Sequence, residues 1–327
     1  MATGSMKLAV IGSGLSGLTL ANRMQDAGWA VTLFEKARGP GGRMSTRRRD
    51  GGQFDHGAQY FTARTTEFAA AVARWEEAGV VGAWNGTFAL WDSGVLRPDP
   101  SQRVRWVGSP RMSALTRHLS GGLNIQAGHR VVALEDGLKG WSIISEHGAV
   151  STGFDWVVMT CPGPQSMALA PSDSPVHSRA AGLQYSSCWA AMMECEPGGV
   201  DADGLRLDHP VLAWAARDSS KPKRPPGHRW VVHATPDWTR AHLDDPPEAV
   251  AREMQRASAS SLGVMARTIS VHRWLYSLAE ASPGDAACID RDRRLGLCGD
   301  GLIGGRVEHA WVSAMAMADE LIGSGTE

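Results

Sequence analysis

The chain has 327 residues, 43% of them hydrophobic and 20% charged, with a formal net charge of −1. That is ample for a buried core and too much for one simple layer, while the near-neutral balance argues against a polyanion binder and no run is apolar for long enough to span a bilayer. Cys161, Cys188, Cys195, Cys288 and Cys298 make no CxxC pair and no metal-like cluster with histidine, so free thiols in a reducing cytoplasm and no bound metal are expected. Met1 to Ser5 carries no fold signal. Lys7 to Ile11 is a short apolar strand followed at once by Gly12, Gly14 and Gly17, a helical pattern, the strand-like run Ala30 to Phe34, and Glu35. Leu8 to Ala21 has the length of a signal-peptide core, but its glycines and the strand after it fit a βαβ dinucleotide fingerprint. Gly12 allows a tight turn, Gly14 lets the backbone approach a pyrophosphate, and Gly17 lets helix and strand pack closely. Phosphates then lie at a helix N-terminus, where free N–H groups and the helix dipole favour negative charge. Glu35 is placed to accept from a ribose, and an acid there disfavours a 2′-phosphate.

A second glycine-rich loop follows, Arg38-Gly-Pro-Gly-Gly-Arg43. Arg43 can neutralise one charge of a flavin pyrophosphate with paired donors. The runs Arg47 to Arg49 and Lys221 to Arg224 read as solvated loops. Thr65 to Ala78 has the helical spacing of Phe68, Val72 and Trp75, and strand-like runs from Trp84 to Trp91 lead to a turn at Arg97 to Pro100. Ser109-Pro110 supplies an N-cap and a first-turn proline for a helix to Leu119. Leu123 to Ile144 reads as successive strands with turns at Gly128 and Asp136-Gly137, and Asp155 to Thr160 as a buried strand. From Pro162 to about Ala287 come β-runs around Trp189, Trp214, Trp230 and Trp274, with a helix from about Pro247 to Leu262. Leu295 to Cys298 is a last strand and Val307 to Ile322 a last helix. Most of the 13 tryptophans are expected to be packing.

Gly41-Gly-Arg-Met44 followed by Phe54-Asp-His-Gly-Ala-Gln-Tyr-Phe61 resembles the renalase-like branch of the flavin amine oxidase superfamily. The likeness continues through Arg105 to Met112, Ser219 to Pro222, Trp230 to Thr235, His272 to Tyr276, Cys298 to Gly301 and Gly305 to Glu308, and so covers nearly the whole chain. It implies an α/β fold: a Rossmann-type FAD-binding domain with an inserted α+β substrate domain carrying an antiparallel β-sheet. The FAD-binding domain would comprise 1–64, 122–165 and 286–327, and the substrate domain 65–121 and 166–285. The implied FAD contacts are Gly12, Ser13, Gly14, Ser16, Gly17, Glu35, Lys36, Gly42, Arg43, Met44, His56, Gly57, Val131, Gly299, Asp300 and Val307. Asp300 would accept from a ribityl hydroxyl, and the N–H groups near Arg306 and Val307 would face the flavin pyrimidine. Some relatives attach FAD through cysteine, but Cys298 lies within its strand, so noncovalent FAD is expected.

The implied substrate pocket comprises Gly57, Ala58, Gln59, Tyr60, Phe61, Trp189, Trp274 and Tyr276. Gln59 and Tyr60 are candidates to hydrogen-bond a carboxamide or the flavin edge, and Phe61 to wall the pocket. Trp274 and Tyr276 alternate on a strand and share one face. The expected activity is oxidation of isomeric (2- or 6-) dihydro-NAD(P) to NAD(P)+ by hydride transfer to the flavin, with O2 reduced to H2O2. Many amine oxidases hold a water at the flavin with a lysine, and none of Lys7, Lys36, Lys139, Lys221 and Lys223 looks placed for that. Amine or specialised-metabolite oxidation on the same fold is the alternative, and a flavin-binding redox sensor without turnover is another. Small molecules and O2 are the expected partners, with no nucleic acid and no membrane.

Overall fold

A computed structural model describes residues 5–49, 52–280 and 284–323. The tail Met1 to Gly4 therefore lies outside the described residues. Two compact units emerge. The first takes in the chain up to Arg43, Thr116–Tyr185, and everything from Leu278 on; the second is Met44–Leu115 with Ser186–Ser277. Segment 44–64, expected with the dinucleotide unit, thus groups with the second. It is built around the short hairpin of Arg47–Arg49 and Gly52–Phe54 and the turn after it.

The first unit starts from the alternation along Lys7–Ile11. Leu8 and Val10 point to one face of the sheet, Ala9 and Ile11 to the other, and all four are buried. Such a strand, apolar on both faces, belongs inside a parallel sheet covered on both sides. The sheet runs Ala287–Asp290, Leu295–Cys298, Trp156–Met159, Lys7–Ile11, Ala30–Glu35, Asn124–Ala127. Its neighbours are parallel except for the antiparallel edge strand Ala287–Asp290. On one face, Leu18, Ala21 and Met24 of the helix Leu15–Asp26 meet Ala314, Met317 and Leu321 of Val307–Gly323 over Leu8, Val10 and Val158. On the other, Ala9, Ile11 and Met159 pack with Trp141, Ile143 and Phe154 of an antiparallel three-stranded sheet.

The second unit is organised by a seven-stranded sheet, ordered Ala266–Ala279, Tyr185–Cys195, Arg229–Ala234, Leu212–Arg217, Gly204–Asp208, Phe88–Asp92, Val95–Pro98. It is mixed rather than purely antiparallel, because Gly204–Asp208 pairs in parallel with Phe88–Asp92. The helix Pro247–Leu262 lays Val250, Met254 and Leu262 on Ala191, Met193 and Val232. It ends at Gly263, whose φ of +63° makes the left-handed cap that a glycine adopts without steric cost. Two local expectations are corrected here. The hairpin turns at Ser93-Gly94, and Arg97-Pro98 lies within the returning strand. The short helix to Leu119 begins at Ser113 rather than at Ser109-Pro110.

Candidate functional site

In the first unit the glycine fingerprint is a matter of measured space. A Cβ at Gly17 would stand 2.1 Å from the Gly12 carbonyl oxygen, and one at Gly12, whose φ is +107°, would stand 2.8 Å from Thr160 Oγ1. Gly14 is different: nothing lies within 4 Å of where its Cβ would be. It is the N-cap of Leu15–Asp26, offers no side chain to the free N–H groups, and no acid occupies the first turn. The N-terminus is therefore open and unopposed by negative charge, as a diphosphate requires. The second glycine loop is tied to the first, since Gly41 N–H donates to Ser13 O at 3.0 Å.

Glu35 is buried and holds this arrangement from below. Its Oε2 accepts from Ser13 N–H at 2.9 Å and Ser13 Oγ–H at 2.7 Å, and its Oε1 accepts from Ala37 N–H at 2.8 Å. Three of about four acceptor positions are used, so one remains for a ribose hydroxyl. Lys36 is exposed, and Val131 and Val307 are half-buried. The Ser16 hydroxyl meets Cys298 Sγ at 3.5 Å, so its side chain turns to the sheet. Cys298 is sealed in the core, and burial pushes its thiol up to about 12. That suits a packing residue better than an attachment point.

Arg43 and Asp300, assigned separately to phosphate and ribityl, bind one another. Arg43 Nη1 donates to Asp300 Oδ2 at 2.8 Å, and Nη2 donates to Oδ1. The pair lines a cavity with Cys161, Tyr185, Gly299 and Gly301. Tyr185 was missing from the sequence reading, yet it dictates Gly301: a Cβ there would stand 2.2 Å from Tyr185 Oη. That hydroxyl also accepts from Gly163 N–H at 3.2 Å. The cause of the glycine after Asp300 thus lies more than a hundred residues away.

In the second unit, the turn after Gly52–Phe54 sits on a buried charge cluster. Asp55 accepts from Arg224 Nη2 at 2.5 Å, Thr46 Oγ1–H at 2.6 Å and Met112 N–H at 2.9 Å. Lys221 Nζ donates to Asp218 Oδ1 at 2.6 Å and Gln59 Oε1 at 3.3 Å, and stands 3.6 Å from Asp55 Oδ2. Lys221 and Arg224 are therefore buried counter-ions, contrary to the solvated loop expected from their neighbours. Lys221 remains unsuited to holding a reactive water, for a new reason: its side chain is fully buried and engaged by carboxylates. Burial pushes the Asp55 carboxyl up, but Lys221 and Arg224 outweigh it and hold the group below its ordinary range.

The expected pocket residues separate by environment. The Gln59 amide is consumed within its own turn, donating to Asp55 O and Gly57 O while accepting from Lys221. Gly57 and Ala58 are half-buried in that turn. Tyr60 packs against Trp214 with ring centroids 5.4 Å apart. Phe61 is core, exchanging backbone hydrogen bonds with Trp106 and packing on Phe68. Trp189 is core too, its Nε1–H donating to His242 O at 3.0 Å, which corrects its assignment to the pocket. Trp274 and Tyr276 are half-buried on one face of Ala266–Ala279, as alternation implied. Trp274 Nε1–H and His233 Nε2–H both donate to His56 O, at 3.0 and 3.2 Å. The His56 ring, 4% exposed, has no hydrogen-bond partner at Nδ1 among the described residues. Burial, together with His272 and Arg47, pushes its pKa down to about 3. Among the described residues no group of three or more His, Cys, Asp or Glu is arranged to hold a metal, and no helix is long and apolar enough to cross a membrane.

Comparison with known proteins agrees with this geometry. Residues 10–75 match the NAD(P)-binding Rossmann-like domain. The fold is a Rossmann-type dinucleotide fold. The 4,4'-diapophytoene desaturase (4,4'-diaponeurosporene-forming) of Staphylococcus aureus strain Newman is 50% identical over 52 residues, 16% of this chain and 10% of that protein. The chain thus matches only a tenth of the length of these curated relatives. Over nearly its whole length it is similar in structure to a provisionally named protoporphyrinogen oxidase from Exiguobacterium sp. 255-15 (TM-score 0.79, 14% identity, covering 98% of this chain and 99% of that one). A reduced UDP-galactopyranose mutase gives a TM-score of 0.77 at 13% identity, covering 99% and 95%. The CLA-producing fatty acid isomerase of P. acnes gives 0.74 at 11%, covering 98% and 99%.

Proposed function

We propose that the chain is a flavin-dependent oxidoreductase of the amine oxidase and desaturase superfamily, binding FAD noncovalently. The observation that carries this reading is the paired glycine loops. Gly41 N–H on Ser13 O, with Glu35 beneath, closes two loops around one open helix N-terminus. The protoporphyrinogen oxidase among the structural neighbours supports it, as does the short desaturase match. Gly14, Glu35, Arg43 and Asp300 would hold the cofactor, and Cys298 would pack beside it without attachment. Bound FAD would supply a two-electron hydride acceptor that O2 can reoxidise.

Within that class, the reaction proposed is oxidation of a 2- or 6-dihydro isomer of NAD(P)H to NAD(P)+, with O2 and a proton taken up and H2O2 released. Hydride loss from a dihydropyridine restores aromaticity and needs no prior deprotonation. The side chains of the second unit suit such chemistry. His56, His233 and His272 are all pushed well down, chiefly by burial, and Lys221 is locked between carboxylates. None is a ready general base at neutral pH. The resemblance to renalases points the same way, and five free cysteines fit the proposed cytoplasmic setting. Anaerobic mixing of the yellow protein with each isomer tests the reading through bleaching of the flavin band. Fast bleaching by an amine, and none by any isomer, would overturn it.

A further inference from the structure

Arg47 differs from four other arginines withdrawn from water in the second unit. Arg105, Arg217, Arg224 and Arg229 each pair with a carboxylate: Asp99, Asp203, Asp55 and Glu194. Arg47, half-buried, has no carboxylate in reach among the described residues. Its Nη2 donates instead to His272 Nδ1 at 3.2 Å. Arginine cannot accept, so His272 Nδ1 carries the lone pair and its proton sits on Nε2. A half-desolvated guanidinium facing a neutral ring keeps an unbalanced charge.

The rings around it form a small aromatic corner. His272 lies 4.9 Å from His56 and 4.5 Å from Trp274, edge to face in both cases, while His56 and Trp274 are tilted by 33° at 5.0 Å. His56 and His272 stay uncharged at neutral pH, being pushed down to about 3 and about 4 by burial and, further, by Arg47. Of these four side chains only the guanidinium carries a formal charge, and among the described residues the buried orphan atom of the corner is His56 Nδ1. We infer that Arg47, His272, His56 and Trp274 form a subsite for the phosphate-type oxyanion of a flat nucleotide ligand. Arg47 takes the oxyanion, the indole and imidazole faces bound the flat body, and His56 Nδ1 makes one hydrogen bond to its polar edge. The proposal rests on the reading above only in choosing a nicotinamide as that flat body. It adds that an anionic group, and not the ring alone, sets affinity.

Calorimetric titration of the FAD-loaded protein with three non-reducing probes tests this: nicotinamide mononucleotide, nicotinamide riboside and nicotinic acid. The mononucleotide should bind about 10- to 100-fold tighter than the riboside, the range of one hydrogen bond to a charged group. Arg47→Met should erase that preference, and Arg47→Lys should keep part of it. Equal binding of mononucleotide and riboside by the wild type would overturn the proposal, as would a preference that survives Arg47→Met. Nicotinic acid binding as tightly as the mononucleotide, with the same loss in Arg47→Met, would overturn the assignment to phosphate. Should Arg47→Met not fold, competition by inorganic phosphate against mononucleotide on the wild type decides the matter: displacement supports the subsite and its absence refutes it. None of the probes delivers hydride, so the result stands apart from whether any dihydro isomer reduces the flavin.

Discussion

Replacing Lys221 with methionine keeps the aliphatic stem and removes the charge from a closed cluster. In the native protein two carboxylates, Asp55 and Asp218, face two cations, Lys221 and Arg224, and all four side chains are 1% exposed or less. The variant leaves two buried carboxylates to one guanidinium. It also strips Gln59 Oε1 of its donor at 3.3 Å. Breaking a buried pair from one side costs about 3–5 kcal/mol, because the remaining charge is stranded in a medium that solvates it poorly. The double variant Lys221→Met, Asp218→Asn restores the balance to one carboxylate and one guanidinium. Its loss should fall short of the loss in Lys221→Met plus that in Asp218→Asn by roughly 1–3 kcal/mol. Urea unfolding of the FAD-loaded protein, followed by far-UV circular dichroism, measures all three losses. A loss below about 1 kcal/mol in Lys221→Met, or strict additivity in the double variant, would show that water reaches the cluster and refute the argument.

Gly17→Ala places a methyl 2.1 Å from the Gly12 carbonyl oxygen, so the purified variant should carry little flavin, read as the ratio of flavin to protein absorbance. Glu35→Ala leaves Ser13 N–H and Ala37 N–H without their acceptor and should weaken FAD by about 1–3 kcal/mol in equilibrium dialysis; full retention would refute the assignment. Gln59→Ala should lower thermal stability more than it slows flavin reduction, because the amide is spent inside its turn; the opposite ranking would return it to substrate binding. Asp55 is held below its ordinary value, so its stabilisation is complete above the unfolded pKa of about 3.9 and is lost as pH falls through the lower folded value. Asp55→Asn should accordingly flatten the acid limb of a stability–pH profile below about pH 4.

The dinucleotide half was legible because its constraints are local. Gly12, Gly14 and Gly17 lie close together in the sequence, and the atoms that a Cβ at Gly12 or Gly17 would meet belong to the same βαβ unit or its neighbouring strand, while Gly14 faces open space. Strands and long helices could be read from period alone, as with Pro247–Leu262. The polar interior of the second unit could not. Lys221 to Gly227 has the composition of a solvated loop, and Asp55, the carboxylate that Arg224 meets, stands 169 positions earlier in the chain. Charge compensation over such separations leaves no local pattern. Trp189 failed for a related reason, since a tryptophan on a strand looks the same whether its face meets a helix or a cleft. Arg43 and Asp300 were each singled out in the sequence, but their mutual bond was not, because each was read against a ligand and not against the other.

The interleaving of the two units has a consequence for how the chain reaches this state. The parallel sheet of the first unit pairs Val10 with Val158 and Val158 with Gly296, so its middle strands are drawn from three widely separated segments of the chain. Until Leu295–Cys298 and Val307–Gly323 have left the ribosome, Trp156–Met159 has an unpaired edge and Leu15–Asp26 lacks the helix that packs beside it. Late, non-local pairing of this kind slows folding and lengthens the time that unpaired strands are exposed. The nascent chain is thus most exposed to misassembly just before the strand Leu295–Cys298 and the helix Val307–Gly323 arrive to close the sheet.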